Sequence, residues 1–191
     1  VAADNPATEF IRPCNLCPHM KRITLPKILH SLETMSVAVE VAPDLAGKGA
    51  ALRAAVDGGS VLLAVCGGYQ LLGRSYVDVA GNELPGTGLL PLHTVAGSTR
   101  MIGDVLLDCA WAGESLAGFE NHAGRTILDE EAEPLGRVVA GFGNDGSSGF
   151  EGCRSGRVYG TYLHGPLLPR NPWFADLLLA EALAHAGLTT D

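Results

Sequence analysis

The sequence predicts an α/β protein: a layered αβα domain with a mostly parallel sheet and added antiparallel strands. A helical pattern over residues 44–56 is followed by a short apolar run over residues 61–65, and such helix–strand alternation is typical of parallel sheets. Residues 76–163 then contain short strand-like runs separated by glycine-rich turns, which indicate antiparallel pairing. Asn171-Pro172, a cap residue followed by proline, starts a final helix that we expect to pack back on the sheet.

The predicted elements follow one another without an internal repeat. The predicted helices occupy residues 28–35, 44–56, 67–74 and 171–186. The predicted strands occupy residues 37–41, 61–65, 76–79, 88–95, 100–109, 118–128, 136–140 and 156–163. Prolines interrupt the first 36 residues. We therefore predict an atypical N-terminal segment, residues 1–43, that is divergent or disordered, and one folded domain, residues 44–191.

Composition limits the classes of function that this chain can have. Hydrophobic residues make up 47% and charged residues 18% of the 191 residues, as in a well-packed globular domain. The formal net charge of -8 argues against a nucleic-acid partner or an anionic membrane surface. The five cysteines are an odd number, and we find no leader and no apolar run long enough to span a membrane. We therefore expect a cytoplasmic protein with free thiols and no membrane insertion.

Residues 60–73, SVLLAVCGGYQLLG, are the stretch around which a site can be built. The apolar run ends at Cys66, and Gly67 and Gly68 lead into residues that open a helix. A strand, a sharp turn and a helix form a nucleophile elbow, whose strained turn lifts its central side chain above the sheet. The helix N-terminus favours the thiolate. A free cysteine is more often a small buried hydrophobe, but the elbow pattern favours Cys66 as a nucleophile.

A thiolate nucleophile needs a residue that moves protons, and His164 is the best of six histidines for this role. It follows the predicted strand 156–163, so it lies at a strand's carboxyl end, as Cys66 does, where α/β active sites gather. His122 falls inside a predicted strand, where a structural role is favoured. No acidic residue stands two positions after His164. The third member of a triad therefore stays open between Glu120 and a side chain of a partner protein.

Arg100 heads a predicted strand after the flexible residues 96–99. A fixed guanidinium can hold a carboxylate by two hydrogen bonds, as an amino-acid substrate requires. An ordinary surface arginine fits the same spacing equally well.

Cys14 and Cys17 form a Cys-x-x-Cys pair with His19 and His30 nearby. Such a pair can hold zinc or act in redox chemistry. A structural zinc site needs four ligands, and no second Cys-x-x-Cys follows. We therefore predict no metal site and keep a zinc or redox protein as a distant alternative.

Three stretches together resemble the class I glutamine amidotransferases, and most closely their cobyric-acid-synthase-like branch. Within that branch the chain is most similar to the GatD family, the glutaminase subunits of lipid II isoglutaminyl synthase. The stretches are residues 64–73 (AVCGGYQLLG), 118–124 (GFENHAG) and 160–172 (GTYLHGPLLPRNP). The elbow is shared by many amidotransferases, whereas the other two stretches are more specific. The likeness runs from about residue 45 to the end.

The resemblance implies an amidotransferase-like domain with Cys66 as the nucleophile and His164 as the general base and acid. It assigns substrate binding to Arg100, which would hold L-glutamine, to Gln70, and to Gly67, whose backbone N–H would stabilise the oxyanion. It implies hydrolysis of L-glutamine through a thioester on Cys66, with no cofactor in this chain.

The resemblance also implies a heterodimer with a Mur-ligase-like, MurT-like subunit. That partner would use ATP and Mg²⁺ to activate the D-glutamate of lipid II, and ammonia made here would amidate it in peptidoglycan synthesis. The family's glycine-rich loop, which provides a second oxyanion donor, has no counterpart before the elbow, where the glycines are Gly47, Gly49, Gly58 and Gly59. Two alternatives therefore stay open: a cobyric-acid-type amidotransferase, and a catalytically silent scaffold that binds a ligase-like partner.

Overall fold

The structure, a computed structural model, describes residues 45–188. These residues lie in one compact unit of the chain, Pro43–Asp191. The elements predicted at residues 28–35 and 37–41 lie outside the described residues, as do Cys14 and Cys17. The domain boundary predicted after residue 43 stays a prediction.

Residues 45–188 form four helices and nine strands. The helices are α1 (Leu45–Asp57), α2 (Gly67–Leu72), α3 (Leu167–Arg170) and α4 (Pro172–His185). The strands are β1 (Leu62–Val65), β2 (Ser75–Val77), β3 (Glu83–Pro85), β4 (Leu92–Cys109), β5 (Glu114–Leu128), β6 (Gly136–Ala140), β7 (Phe150–Glu151), β8 (Cys153–Ser155) and β9 (Val158–Thr161). None of the helices in this part of the chain is long and apolar enough to cross a membrane.

A three-stranded sheet carries the elbow, in the order β1-β9-β8. Strands β1 and β9 are parallel, with Leu62 opposite Val158 and Val65 opposite Thr161. Strand β8 adds to the other side of β9 in antiparallel orientation. The parallel pair brings two segments far apart in sequence to a common edge, where both strands end.

A larger, six-stranded sheet follows the order β3-β2-β4-β6-β7, and β5 pairs with β4. Its main feature is the long antiparallel hairpin of β4 and β5, whose register shifts at a bulge between Ala96 and Met101. Only the pairing of β2 with β4 is parallel among the described pairings of this sheet. The α/β class with added antiparallel strands is confirmed. Antiparallel pairings are the more numerous in residues 45–188, because tight turns rather than helical crossovers connect most of these strands.

Several elements differ from the sequence prediction. The strands predicted at residues 88–95 and 100–109 join into the single strand β4, because the intervening bulge bends the strand without ending it. Strands β3, β7 and β8 were not predicted, since each has only two or three residues. The prediction for β6, residues 136–140, is confirmed.

The final helix α4 is tied to the hairpin by a buried asparagine. Asn171 was predicted to cap this helix, but its side chain makes no capping hydrogen bond. Its Oδ1 instead accepts from the amide of Ala117 at 2.8 Å, and its Nδ2 donates to the carbonyls of Ala117 and Leu167 at 2.8 and 2.7 Å. Since all of these groups are buried or partly buried, the tertiary contact satisfies polar groups that would otherwise be costly to desolvate.

The hydrophobic core has two clusters that meet around β9. One cluster lies against α4 and includes Leu107, Leu116, Leu135, Leu163 and Phe174. The other lies beneath α2 and includes Tyr69, Leu72, Leu90, Leu92 and Tyr162. Burial of each large side chain contributes about 1.5–3 kcal/mol to folding. The second cluster fixes the elbow helix on the sheet and so fixes the position of the residue that precedes it.

Candidate active site

Cys66 stands at the sharp turn between β1, which ends at Val65, and α2, which begins at Gly67. Its backbone has φ 54° and ψ −113°. It is the only non-glycine residue with positive φ among residues 45–188. Such a conformation costs about 1–3 kcal/mol and is typical of functional sites. The predicted nucleophile elbow is therefore present, with Cys66 at its strained position.

The thiol of Cys66 differs in its surroundings from the other described thiols. Cys109 and Cys153 are buried, and burial raises the pKa of each to about 12. Cys66 is partly exposed. A thiol must reach both solvent and substrate to act as a nucleophile, so Cys66 is the described cysteine that is placed for this role.

The parallel pair β1–β9 brings Cys66 and His164 to one edge of the sheet. The amide of Cys66 donates to the carbonyl of Thr161 at 2.9 Å, which extends the ladder one residue beyond β1. His164 follows three residues later, and its amide donates to the carbonyl of Phe119 on β5 at 2.7 Å. Both candidate residues therefore leave the carboxyl ends of neighbouring parallel strands, as the sequence predicted.

The Nε2 atom of His164 is buried and has no hydrogen-bond partner among the residues that the structure describes. Glu120, one candidate for the third triad member, makes other contacts. Its Oε1 accepts from the amide of Phe142 at 2.6 Å and its Oε2 from the amide of Gly143 at 3.1 Å. Its Oε2 also lies 3.4 Å from Nε2 of His122. Glu120 thus belongs to a buried hydrogen-bond network with His122 and makes no hydrogen bond to His164.

His122 is buried in strand β5, where the sequence predicted a strand. Its ring stacks on Tyr162 with centroids 3.5 Å apart and planes inclined by 3°. Its Nδ1 lies 2.9 Å from the carbonyl of Gly124 and so donates to it. The His122 ring is thus part of a buried layer formed with Tyr162.

Tyr162 connects this buried layer to α2, the helix of the elbow. Its hydroxyl accepts from Nε2 of Gln70 at 3.0 Å and lies 2.6 Å from the hydroxyl of Thr126. Burial raises the pKa of Tyr162 to about 12. Tyr162 and Thr126 therefore form a network of neutral hydroxyl groups, and a hydrogen bond to this network fixes the side chain of Gln70.

Gly67 and Gln70 also line a pocket of about 200 Å³, together with Leu71, Tyr76, Leu84, Pro85 and Gly86. Gly67 is exposed, and a Cβ placed on it would meet no atom within 4 Å. As the first residue of α2, its amide has no acceptor within the helix. The position is open, as an oxyanion donor requires.

Arg100 lies in the bulged part of β4 and is exposed. Its Nε donates to Oδ1 of Asn121 at 2.8 Å, and its Nη2 donates to the carbonyl of Asn121 at 3.0 Å. One edge of the guanidinium is thus held by β5. The predicted residue is not a freely moving surface side chain, since its direction is fixed by a defined partner.

Glu151 is a buried residue of the site region that the sequence analysis missed. It is 0% exposed, and burial raises the pKa of its carboxyl group to about 8. Its oxygens accept hydrogen bonds from Thr161 and Tyr162, between β9 and His164. No local pattern marks it, because Glu151 follows a glycine-rich turn in which an acidic residue is normally exposed.

The fold and the site define a class of protein: an α/β domain with a cysteine nucleophile elbow and a histidine at the end of the adjacent parallel strand. A family model for the CobB/CobQ-like glutamine amidotransferase domain matches residues 37–172, and the chain belongs to this family. The family predicted from the sequence is therefore confirmed.

Two relatives are 40% identical to this chain, and both are lipid II isoglutaminyl synthase (glutamine-hydrolyzing) subunit GatD. The protein of Staphylococcus aureus (strain N315) aligns over 72% of this chain and 55% of its own length. The protein of Streptococcus pneumoniae (strain ATCC BAA-255 / R6) aligns over 75% of this chain and 55% of its own length. The chain thus spans about half the length of these curated relatives.

The cobyric acid synthase of Pelotomaculum thermopropionicum aligns over a smaller share of each chain, at 41% identity over 62% of this chain and 25% of that protein. A solved structure described as a glutamine amidotransferase aligns with a TM-score of 0.53 at 23% identity. The alignment covers 71% of this chain and 68% of that one. This likeness supports the predicted fold class.

Proposed function

We propose that the chain is a glutaminase that hydrolyses L-glutamine through a thioester on Cys66 and passes ammonia to a Mur-ligase-like partner. The observation that carries the proposal is the backbone of Cys66, whose φ of 54° is strained at the end of β1. The amide of the same residue is fixed to Thr161, three residues before His164. A strained backbone at a cysteine costs about 1–3 kcal/mol and is typical of functional sites, which supports a chemical role for Cys66.

The reaction begins when His164 takes the proton of the Cys66 thiol and the thiolate attacks the side-chain amide carbon of L-glutamine. The backbone N–H of Gly67 donates to the oxyanion that forms. His164 then gives a proton to the leaving nitrogen as the C–N bond breaks, so that ammonia leaves and a glutamyl thioester remains. His164 next removes a proton from water, which attacks the thioester. The C–S bond breaks, glutamate leaves and the thiol is restored.

Binding of the amino-acid end of the substrate falls to Arg100 and Gln70. The guanidinium of Arg100 is held from one side by Asn121, so its remaining N–H groups can donate to a carboxylate from a fixed direction. Gln70 lies one turn after the nucleophile, and its side chain is fixed by Tyr162. Since both contacts are made before any bond changes, they act mainly on substrate affinity.

The ammonia acceptor is the D-glutamate of lipid II, activated by the partner with ATP and Mg²⁺ in the cytoplasm. The names of the two relatives at 40% identity, subunits of a lipid II isoglutaminyl synthase, support this assignment. Glu120 accepts from the amides of Phe142 and Gly143 rather than from His164, which favours the other alternative, a carboxylate from the partner subunit, as the third triad member.

The second candidate is a cobyric-acid-type amidotransferase. The cobyric acid synthases that align at about 40% identity favour it. These proteins are much longer than the aligned region, which is 25% of their length. Both candidates share the glutaminase step and differ only in the acceptor.

The test is intact-mass spectrometry after incubation with a diazo-ketone analogue of glutamine, using the wild-type chain and Cys66→Ala. One adduct on the wild type and none on Cys66→Ala are expected. If no adduct forms, alone or with a Mur-ligase-like subunit added, the chain is instead the silent scaffold. The acceptor is then tested by adding the ligase subunit, ATP, Mg²⁺ and lipid II. Amidated lipid II is expected, and its absence despite active glutamine hydrolysis would favour the corrinoid alternative.

A further inference from the structure

Glu151 is a fully buried carboxyl group that no step of the proposed reaction uses. It lies on β7, which pairs with β6. Its side-chain oxygens nevertheless bond to the end of β9: Oε1 accepts from the amide of Tyr162 at 2.5 Å, and Oε2 accepts from the hydroxyl of Thr161 at 2.9 Å. Because an unsatisfied buried carboxyl is costly, these contacts fix the side chain of Glu151 firmly to this segment.

Tyr162 and Leu163, between the end of β9 and the bridge of His164 to Phe119, have no strand partner among the described pairings. The ladder between β1 and β9 ends where Val65 faces Thr161, and β8 pairs only as far as Gly160. The next two amides are satisfied by side chains instead. Glu151 accepts the amide of Tyr162, and the hydroxyl oxygen of Thr161 accepts the amide of Leu163 at 3.0 Å.

The hydrogen bond between Glu151 and Thr161 orients the two groups that accept from the amides of Tyr162 and Leu163. The Thr161 hydroxyl donates its proton to Glu151, which leaves its oxygen lone pairs free for the amide of Leu163. One carboxyl group therefore holds the backbone between the end of β9 and His164, whose own amide is held by Phe119.

The same threonine holds the nucleophile. The carbonyl of Thr161 accepts the amide of Cys66 at 2.9 Å, while its side chain is held by Glu151. We propose, on the basis of the proposed function, that Glu151 is a positioning residue that fixes the spacing of Cys66 and His164 through Thr161. It touches no substrate atom and acts through the backbone of residues 161–164.

The surroundings of Glu151 favour its protonated form, which glutamine can replace with little change in shape. Glu120 on β5, Tyr69 on α2 and Cys109 on β4 all interact electrostatically with it. In this setting burial raises the pKa of Glu151 to about 8, so the protonated form is populated at neutral pH. Glutamine has the shape of that form. Its carbonyl oxygen, in the place of Oε1, can accept from the amide of Tyr162 and from the Thr161 hydroxyl, which lies 3.1 Å from Oε1, whereas alanine leaves both groups without a partner.

The first arm of the test is amide hydrogen exchange, which does not depend on activity. Wild type, Glu151→Gln, Glu151→Ala and Thr161→Val are compared, and strand β4 serves as the internal reference for global unfolding. Glu181→Gln is the matched control, because Glu181 accepts from Tyr159 in the middle of β9, away from its carboxyl end. Residues 161–164 should exchange at least about tenfold faster in Glu151→Ala and Thr161→Val, relative to β4, and stay close to wild type in the two glutamine variants.

The second arm measures glutamine hydrolysis per folded molecule. Misplacement of reacting groups by about 1 Å costs on the order of 100-fold, so kcat should fall by about that factor in Glu151→Ala while KM changes less than about twofold. Glu151→Gln should restore most of kcat, and Glu181→Gln should change stability alone.

Two results would overturn the proposal. One is exchange of residues 161–164 that rises only in step with β4. The other is a kcat per folded molecule in Glu151→Ala equal to that of the wild type despite faster exchange. If the wild type itself neither hydrolyses glutamine nor takes up the diazo-ketone analogue, the proposed function fails. The exchange arm then still decides whether Glu151 holds this segment.

Discussion

The guanidinium of Arg100 donates two hydrogen bonds to one residue, Asn121, through Nε at 2.8 Å and Nη2 at 3.0 Å. The two residues lie on the paired strands β4 and β5, next to the bulge that interrupts their register. An asparagine acceptor holds the cation without neutralising it. The charge therefore stays available for an anionic ligand, and the bulge sets the direction from which the ligand approaches.

Replacing Asn121 should weaken substrate binding more than turnover. In Asn121→Ala the guanidinium loses its fixed direction, and KM for glutamine should rise about tenfold, the equivalent of about 1.4 kcal/mol, at nearly unchanged kcat. Asn121→Asp should raise KM further, since its carboxylate competes for the same cation. Steady-state kinetics measure both. Asn82→Ala, in the turn before β3, is the control and should leave KM unchanged; an equal KM in all variants would show that Arg100 does not need Asn121.

The strain at Cys66 predicts an unusual order of stabilities. Glycine adopts positive φ without penalty, so Cys66→Gly should be more stable than Cys66→Ala by about 1 kcal/mol, after allowance for the greater entropy of glycine in the unfolded chain. Neither variant should take up the glutamine analogue. Thermal and urea unfolding compare the two. A less stable glycine variant would mean that position 66 is not strained in solution.

The close approach of α2 and β9 depends on Gly160. A Cβ at this position would lie 2.1 Å from Cδ2 of Tyr69, which is fully buried. Gly160→Ala should therefore destabilise the domain by about 1–3 kcal/mol and displace the elbow helix. Gly103→Ala is the matched control in strand β4, where a Cβ meets nothing within 4 Å. Urea denaturation measures the difference between the two variants, and equal midpoints would contradict the packing of Tyr69 against β9.

The raised pKa of Glu151 makes stability depend on pH. Between its ordinary value of 4.5 and about 8, the folded state holds a proton that the unfolded state has lost. This contribution to the free energy of unfolding is complete below pH 4.5 and falls by up to about 1.4 kcal/mol per pH unit until pH 8. Burial raises the pKa of the neighbouring Tyr69 and Cys109, so both stay protonated across this window.

The variant Glu151→Gln isolates this effect, because it cannot lose a proton. Urea unfolding at pH 5, 6, 7 and 8 should show the wild type losing stability relative to Glu151→Gln as the pH rises. A constant difference between the two proteins across this range would show that Glu151 does not titrate there in the folded state.

Sequence alone was sufficient for the parts of the site that are encoded locally. The apolar run ending at Cys66 and the glycines after it predict the elbow, because strand, turn and helix propensities act over a few neighbouring residues. The position of His164 after a buried strand and before a Gly-Pro turn is local in the same sense. The family could also be predicted, since its motifs lie in continuous stretches of the chain.

Only the tertiary structure decided which buried groups meet. The register of β1 against β9 pairs Val65 with Thr161, far apart in the chain, and this pairing places the two candidate catalytic residues at one edge. It also decided that Glu120 bonds to the amides of residues 142 and 143 rather than to His164, and that Glu151 holds the end of β9. Sequence patterns report whether a residue suits a buried or an exposed place, but hydrogen-bond partners depend on distances of a few tenths of an ångström between segments that meet only after the chain has folded.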